Sequence, residues 1–92
     1  MGAIGCYNRV LTFDPDHLIV IHNKGIVFRN LDRNNEAIEC FNKLITLQPN
    51  ESNYYFDKGV SFKILKNYDE ALQCYEKAIL MLTIVKLSLL KI

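Results

Sequence analysis

Charge of one sign is what this chain most clearly lacks: 11 lysine and arginine residues stand against 10 aspartate and glutamate, a net charge of +1. That balance leaves no basic stripe for a phosphate backbone, so no nucleic-acid partner is implied. The two signs are interspersed, as on an ordinary solvated surface. Cysteine is scarce and odd in number, with 3 residues, which excludes a complete internal disulfide framework. The 4 glycines stand singly, so no glycine-rich phosphate loop can form. The apolar C-terminal stretch, residues 79–92, is too short to span a membrane. As a helix it reaches about 21 Å against a bilayer core of roughly 30 Å, and Lys86 and Lys91 interrupt it. Met1 is followed by neither the basic start nor the cleavage pattern of a signal peptide, which points to a cytoplasmic or other intracellular setting. Half of the residues are hydrophobic and nothing is biased toward disorder, so the 92 residues should form one small packed domain.

What the chain does have is a repeat. Residues 36–50 form an amphipathic helical pattern closed by Pro49. Ala3, Cys6, Tyr7, Val10 and Pro15 hold, 34 positions earlier, the places of Ala37, Cys40, Phe41, Leu44 and Pro49. Another 34 positions on, Ala71, Cys74, Tyr75 and Ala78 hold them, with Thr83 in place of the proline. A fixed period of this length marks a stack of helical units.

Read in order, the chain predicts five helices. Residues 3–13 form the first, ended by Asp14-Pro15-Asp16, because proline cannot donate a backbone bond and disfavours the α conformation before it. Residues 17–31 form the second, residues 32–35 a polar turn, and the helix of residues 36–47 follows. A fourth starts at Ser52 or Asn53. Asn67 and Glu70, three residues apart, resemble a capping box opening the fifth, which should run through Ala71, Tyr75, Ala78 and Ile79. Gly25 and Gly59 lie inside helices, where glycine costs about 1 kcal/mol relative to alanine, so each implies a helix approaching too closely for a side chain. Phe28, Phe41, Phe62 and Tyr75 should fill the space between paired helices. The three cysteines occupy one slot of successive units. Equivalent helices pack roughly 8–10 Å apart, beyond the 7 Å or so that a disulfide spans, so the thiols are expected to pack as small apolar groups.

These residues resemble the tetratricopeptide repeat. The resemblance rests on Gly25 and Gly59, Phe28 and Phe62, the alanines 3, 37 and 71, the aromatics Tyr7, Phe41 and Tyr75, and the prolines 15 and 49 in one register. Ile21, Lys24, Lys58, Asn34 and Thr83 depart from the pattern, and of these Thr83 alone alters the packing logic. The resemblance implies an all-α fold of antiparallel helix-turn-helix units stacked as a right-handed solenoid. Its units would be residues 1–17, the second helix of a truncated repeat; residues 18–51 and 52–85, two whole repeats; and residues 86–92, an apolar tail or an extension of the last helix.

No catalytic group, metal site or cofactor can be named. His17 and His22 have no cysteine or carboxylate at ligand spacing, and the 34-residue interval separates the thiols. The resemblance instead implies a protein-interaction module whose first helices line a concave groove for a peptide or a partner helix. Its lining would be Ile19, His22, Asn23, Ile26, Arg29 and Asn30 in one repeat and Asn53, Phe56, Asp57, Val60, Lys63 and Ile64 in the next. Phe56 is the candidate anchor, and Arg29 and Lys63 could pair with carboxylates. Some chaperone adaptors of the family hold a C-terminal carboxylate with lysine, asparagine and arginine. Of that set only Asn23 has a counterpart here, and Asp57 stands where arginine is needed, so the resemblance does not extend to such tails. The alternative is a structural segment that self-associates as a homo-oligomer through open apolar ends, since residues 79–92 are apolar on every side of a helix and require cover.

Overall fold

Two prolines and two left-handed residues decide where this chain breaks. The computed structural model describes residues 2–91; Met1 and Ile92, the outermost residues of the terminal units expected above, lie outside them. Five helices follow one another: α1 (Ala3–Phe13), α2 (Leu18–Asn30), α3 (Asn34–Leu47), α4 (Ser52–Ile64) and α5 (Tyr68–Leu90). α1 stops before Asp14-Pro15 and α3 before Gln48-Pro49, each closed by one last backbone bond, Asp14 to Val10 and Gln48 to Leu44.

The turns inside the two whole repeats share one geometry. Asp32 (φ 60°) and Lys66 (φ 64°) are left-handed. At the first, the Arg33 N–H donates to the Phe28 carbonyl and the Asp32 N–H to that of Arg29. At the second, Asn67 donates to Phe62 and Lys66 to Lys63. This is the Schellman closure, made here without the usual glycine. It is tighter than the turn expected at residues 32–35, so α3 starts at Asn34, whose side-chain amide donates to the Asp32 carboxylate at 3.1 Å. Arg33 then braces the first turn through a bidentate pair with Glu36 at 2.7 Å. The capping box is corrected: Asn67 is the N-cap residue of α5, but its side chain makes no capping bond.

Each helix packs on the next, α1 on α2, α2 on α3, α3 on α4 and α4 on α5. The core lies between α2 and α3, built on Ile21, Phe28, Ala37, Cys40, Phe41 and Leu44. α1 lends it Ile4 and Leu11, and α4 lends Tyr54. At Gly25 and Gly59 a side chain would run into an aromatic ring of the paired helix. A Cβ on Gly25 would come within 2.7 Å of the Phe41 ring, and one on Gly59 within 2.6 Å of the Tyr75 ring. Not every repeated slot is buried alike. Phe28 and Phe41 are buried, while Phe62 and Tyr75 are half-buried, and Cys6 is exposed where Cys40 and Cys74 are buried. The expectation that all three thiols pack inside fails at Cys6, because α1 is covered on the α2 side alone among the described residues.

α5 continues for 23 residues, past the place where the earlier repeats have proline. Thr83, standing there, stays helical and donates its hydroxyl to the Ile79 carbonyl at 2.9 Å. No described helix is long and apolar enough to cross a membrane.

Candidate interaction surface

The first helices of the two repeats, α2 and α4, are joined by one carboxylate. Asp57 of α4 accepts a hydrogen bond from Arg29 Nη1 at 3.2 Å through Oδ1, and its Oδ2 lies 2.7 Å from His22 Nε2. The Asp57 side chain is 14 % exposed and that of Arg29 is 18 % exposed, so the group is shielded enough to hold a fixed geometry. His22 also stands edge-on to Phe41, at 6.1 Å between centroids, and to Tyr54, at 5.6 Å. The Arg29 guanidinium lies 5.9 Å from the centroid of the Phe41 ring. Three of the residues expected in the groove therefore form one inter-repeat clamp, and the Arg29 charge is already matched inside the chain. Sequence spacing could not show this, because His22 and Asp57 are 35 residues apart and meet only through the stacking.

The remaining residues lie around this clamp or away from it. Ile26 and Val60 are half-buried, and Asn23, Asn30, Asn53 and Lys63 are exposed. Lys63 makes no ion pair among the described residues. Ile19 and Ile64 are exposed as well. Phe56 is displaced from the clamp: its ring tilts against Tyr75 at 5.6 Å between centroids, and with Asn53 it borders a cavity between α4 and α5.

The titratable groups support packing at the cysteines. Burial pushes the Cys40 thiol up, partly opposed by Lys24, and burial likewise pushes the Cys74 thiol up, opposed by Lys58. Thiolates are thereby disfavoured, and with them nucleophilic or metal-binding behaviour. Burial also raises the Tyr54 phenol. No group of three or more histidine, cysteine, aspartate or glutamate side chains among the described residues is placed to hold a metal ion. Two buried polar atoms were missed by sequence reasoning, the Asn34 Oδ1 and the Ser61 Oγ, neither with a protein partner among the described residues. Ser61 carried no signal, since serine on a helix reads as a surface residue.

First helices of matching length joined to the second helices by matching turns, with glycine, alanine and aromatic residues at matching contacts, are the features that family models record. Tetratricopeptide repeat models match residues 20–51 and residues 52–81. The chain belongs to the tetratricopeptide repeat family. Its solenoid superposes on solved structures of that architecture. MamA MSR-1 is 27 % identical with a TM-score of 0.82, over 85 % of this chain and 45 % of that one. A second MamA crystal structure is 22 % identical with a TM-score of 0.80, over 85 % and 46 %. The second TPR of Spaghetti (RPAP3), solved with an HSP90 peptide, is 23 % identical with a TM-score of 0.77, over 85 % and 72 %. The chain thus spans about half the length of the MamA chains it matches. No curated protein matches the sequence significantly.

Proposed function

We propose that this tetratricopeptide repeat unit is a non-catalytic interaction module that takes a peptide or a partner helix along the face formed by α2 and α4. The observation that carries the reading is the clamp of Asp57 on Arg29 and His22. It holds two first helices side by side before any ligand arrives, so little ordering is left to oppose binding. Around it lies a surface suited to a polypeptide. Ile26 and Val60 supply an apolar floor, and Asn23, Asn30 and Asn53 supply amides that both donate to and accept from a peptide backbone. With Asp57 neutralised by Arg29, Lys63 tips the face toward neutral or mildly acidic ligands. The peptide bound to the RPAP3 repeat supports the class of ligand. It does not extend to the same tail, since Asp57 puts a carboxylate where that tail would need a cation. The non-catalytic reading is supported by the clamp itself. The histidine–carboxylate pair is closed by a guanidinium, which neither attacks nor accepts a proton.

The test is a peptide selected by display on the isolated chain and then titrated while backbone amide resonances are followed. Shifts should concentrate at Asn23, Ile26, Asn30, Val60 and Lys63. Asn30→Ala should weaken binding about fivefold, the worth of one hydrogen bond. Shifts confined to α1 or to the outer faces of α3 and α5 would refute the reading.

A further inference from the structure

α4 covers α3: Phe41 and Leu44 are fully buried, and Tyr54 of α4 packs against them. One repeat later Tyr75 and Ala78 of α5 hold the same slots, with Phe56 in the slot of His22, and among the described residues no helix lies over them. A cavity of about 250 Å³ opens there, walled by Phe56, Tyr75, Ile79 and Leu82. Phe56 is 54 % exposed, Ile79 63 % and Leu82 59 %, so this seat is apolar and open. The covering helix of the earlier repeat runs antiparallel to the helix beneath it, as the short loop between α3 and α4 requires.

The exposed stripe of α5 says what takes the seat. Leu72, Tyr75, Ile79, Leu82, Lys86 and Leu89 succeed one another at alternating steps of three and four, the spacing of a helix-to-helix seam. Lys86 is its one charged member. Two α5 helices packed in parallel would set Lys86 against Lys86. Packed antiparallel with Ile79 opposite Leu82 of a second copy, they set Leu72 opposite Leu89. Lys86 then falls over Tyr75 of the second copy, with its ammonium beside Glu76, the next residue. The register that pairs every member of the stripe with another member also brings the lysine beside a carboxylate.

We propose that a second copy of this chain covers this face, α5 against α5 antiparallel about a two-fold axis near Leu80 and Met81. The outer half of each α5 lies over Tyr75 and Phe56 of the other copy, as α4 lies over Phe41. The contact is self-complementary, so it closes as a dimer and does not propagate. It leaves His22, Asn23, Arg29, Asn30 and Asp57 outside the interface, meets the groove lining only at Asn53 and Phe56, and does not depend on the groove reading.

Sedimentation equilibrium of the full chain tests this. A monomer–dimer equilibrium is expected, and Ile79→Asp should leave only monomer. Lys86→Glu and Glu76→Lys should each weaken the dimer about tenfold, because each turns two symmetry-related attractions into repulsions. The double charge swap should return the dimer to within about threefold of the original. All three positions are exposed, and circular dichroism should show unchanged helicity. A monomer at every concentration, assembly beyond the dimer, or a double swap that fails to restore association would overturn the proposal. Groove peptide affinity in the Ile79→Asp chain should equal that of the parent, so failure of one reading is distinguishable from failure of the other.

Discussion

In the repeat of α2 and α3, the aromatic ring in the second helix, Phe41, has no exposure, and its neighbour Phe28 is buried; in the repeat of α4 and α5 the same two slots, Tyr75 and Phe62, are half-buried. The residue types are alike and the local turns are alike, so neither explains the difference. What differs is cover. Among the described residues the first repeat lies between α1 and α4, and the second has a helix on one side only. In a stacked protein each unit is stabilised by its own fold and by its neighbours, so the same slot contributes differently according to its place in the row.

Paired substitutions at equivalent slots would break this comparison or sharpen it. The largest difference is expected between Phe41→Ala and Tyr75→Ala. The first empties a fully buried site and should cost about 4 kcal/mol, and the second should cost less than half of that in dilute solution. Urea denaturation of both variants measures it, and equal losses would mean that the α5 face is covered after all.

Next come the two glycines. A methyl group at Gly25 meets the Phe41 ring, which has nowhere to go, so Gly25→Ala should cost about 1–2 kcal/mol net of the better helix propensity. Gly59→Ala meets Tyr75, which can swing outward, and should be nearly neutral. Thermal melts compare the two directly.

The smallest effect is expected at the left-handed turns. Lys66→Gly should stabilise by about 1 kcal/mol by relieving a conformation that side chains resist. Asp32→Gly should change little, because aspartate tolerates that conformation and its carboxylate receives the Asn34 amide. A Lys66→Gly variant no more stable than the parent would contradict the strain argument.

Much of the architecture could be read from residue spacing, because a helical repeat writes its contacts locally. The prolines at 15 and 49 mark helix ends, and Gly25 with Phe41, and Gly59 with Tyr75, mark close approaches that the structure contains. Three features could not be read in this way. Asp57 meeting Arg29 and His22 depends on how far one repeat rotates on the next, a quantity no single slot encodes. Asp32 and Lys66 adopt left-handed turns without the glycine that would have announced them. Cys6 occupies the slot of two buried thiols yet is exposed, since burial depends on the neighbour across the stack and not on the slot. The lining expected for the groove was likewise a set of separate positions. Bringing three of them into one clamp changed Arg29 from a ligand for a partner's carboxylate into the partner of Asp57.

Stability is concentrated in the repeat covered on both sides and falls toward the open face of α5. Residue-resolved hydrogen exchange of the dilute chain tests it most directly. The slowest exchange is expected at the amides of Ala37, Phe41 and Leu44 and the fastest helical exchange at residues 83–90. Uniform protection along all five helices, or slower exchange in residues 83–90 than in α3, would contradict it.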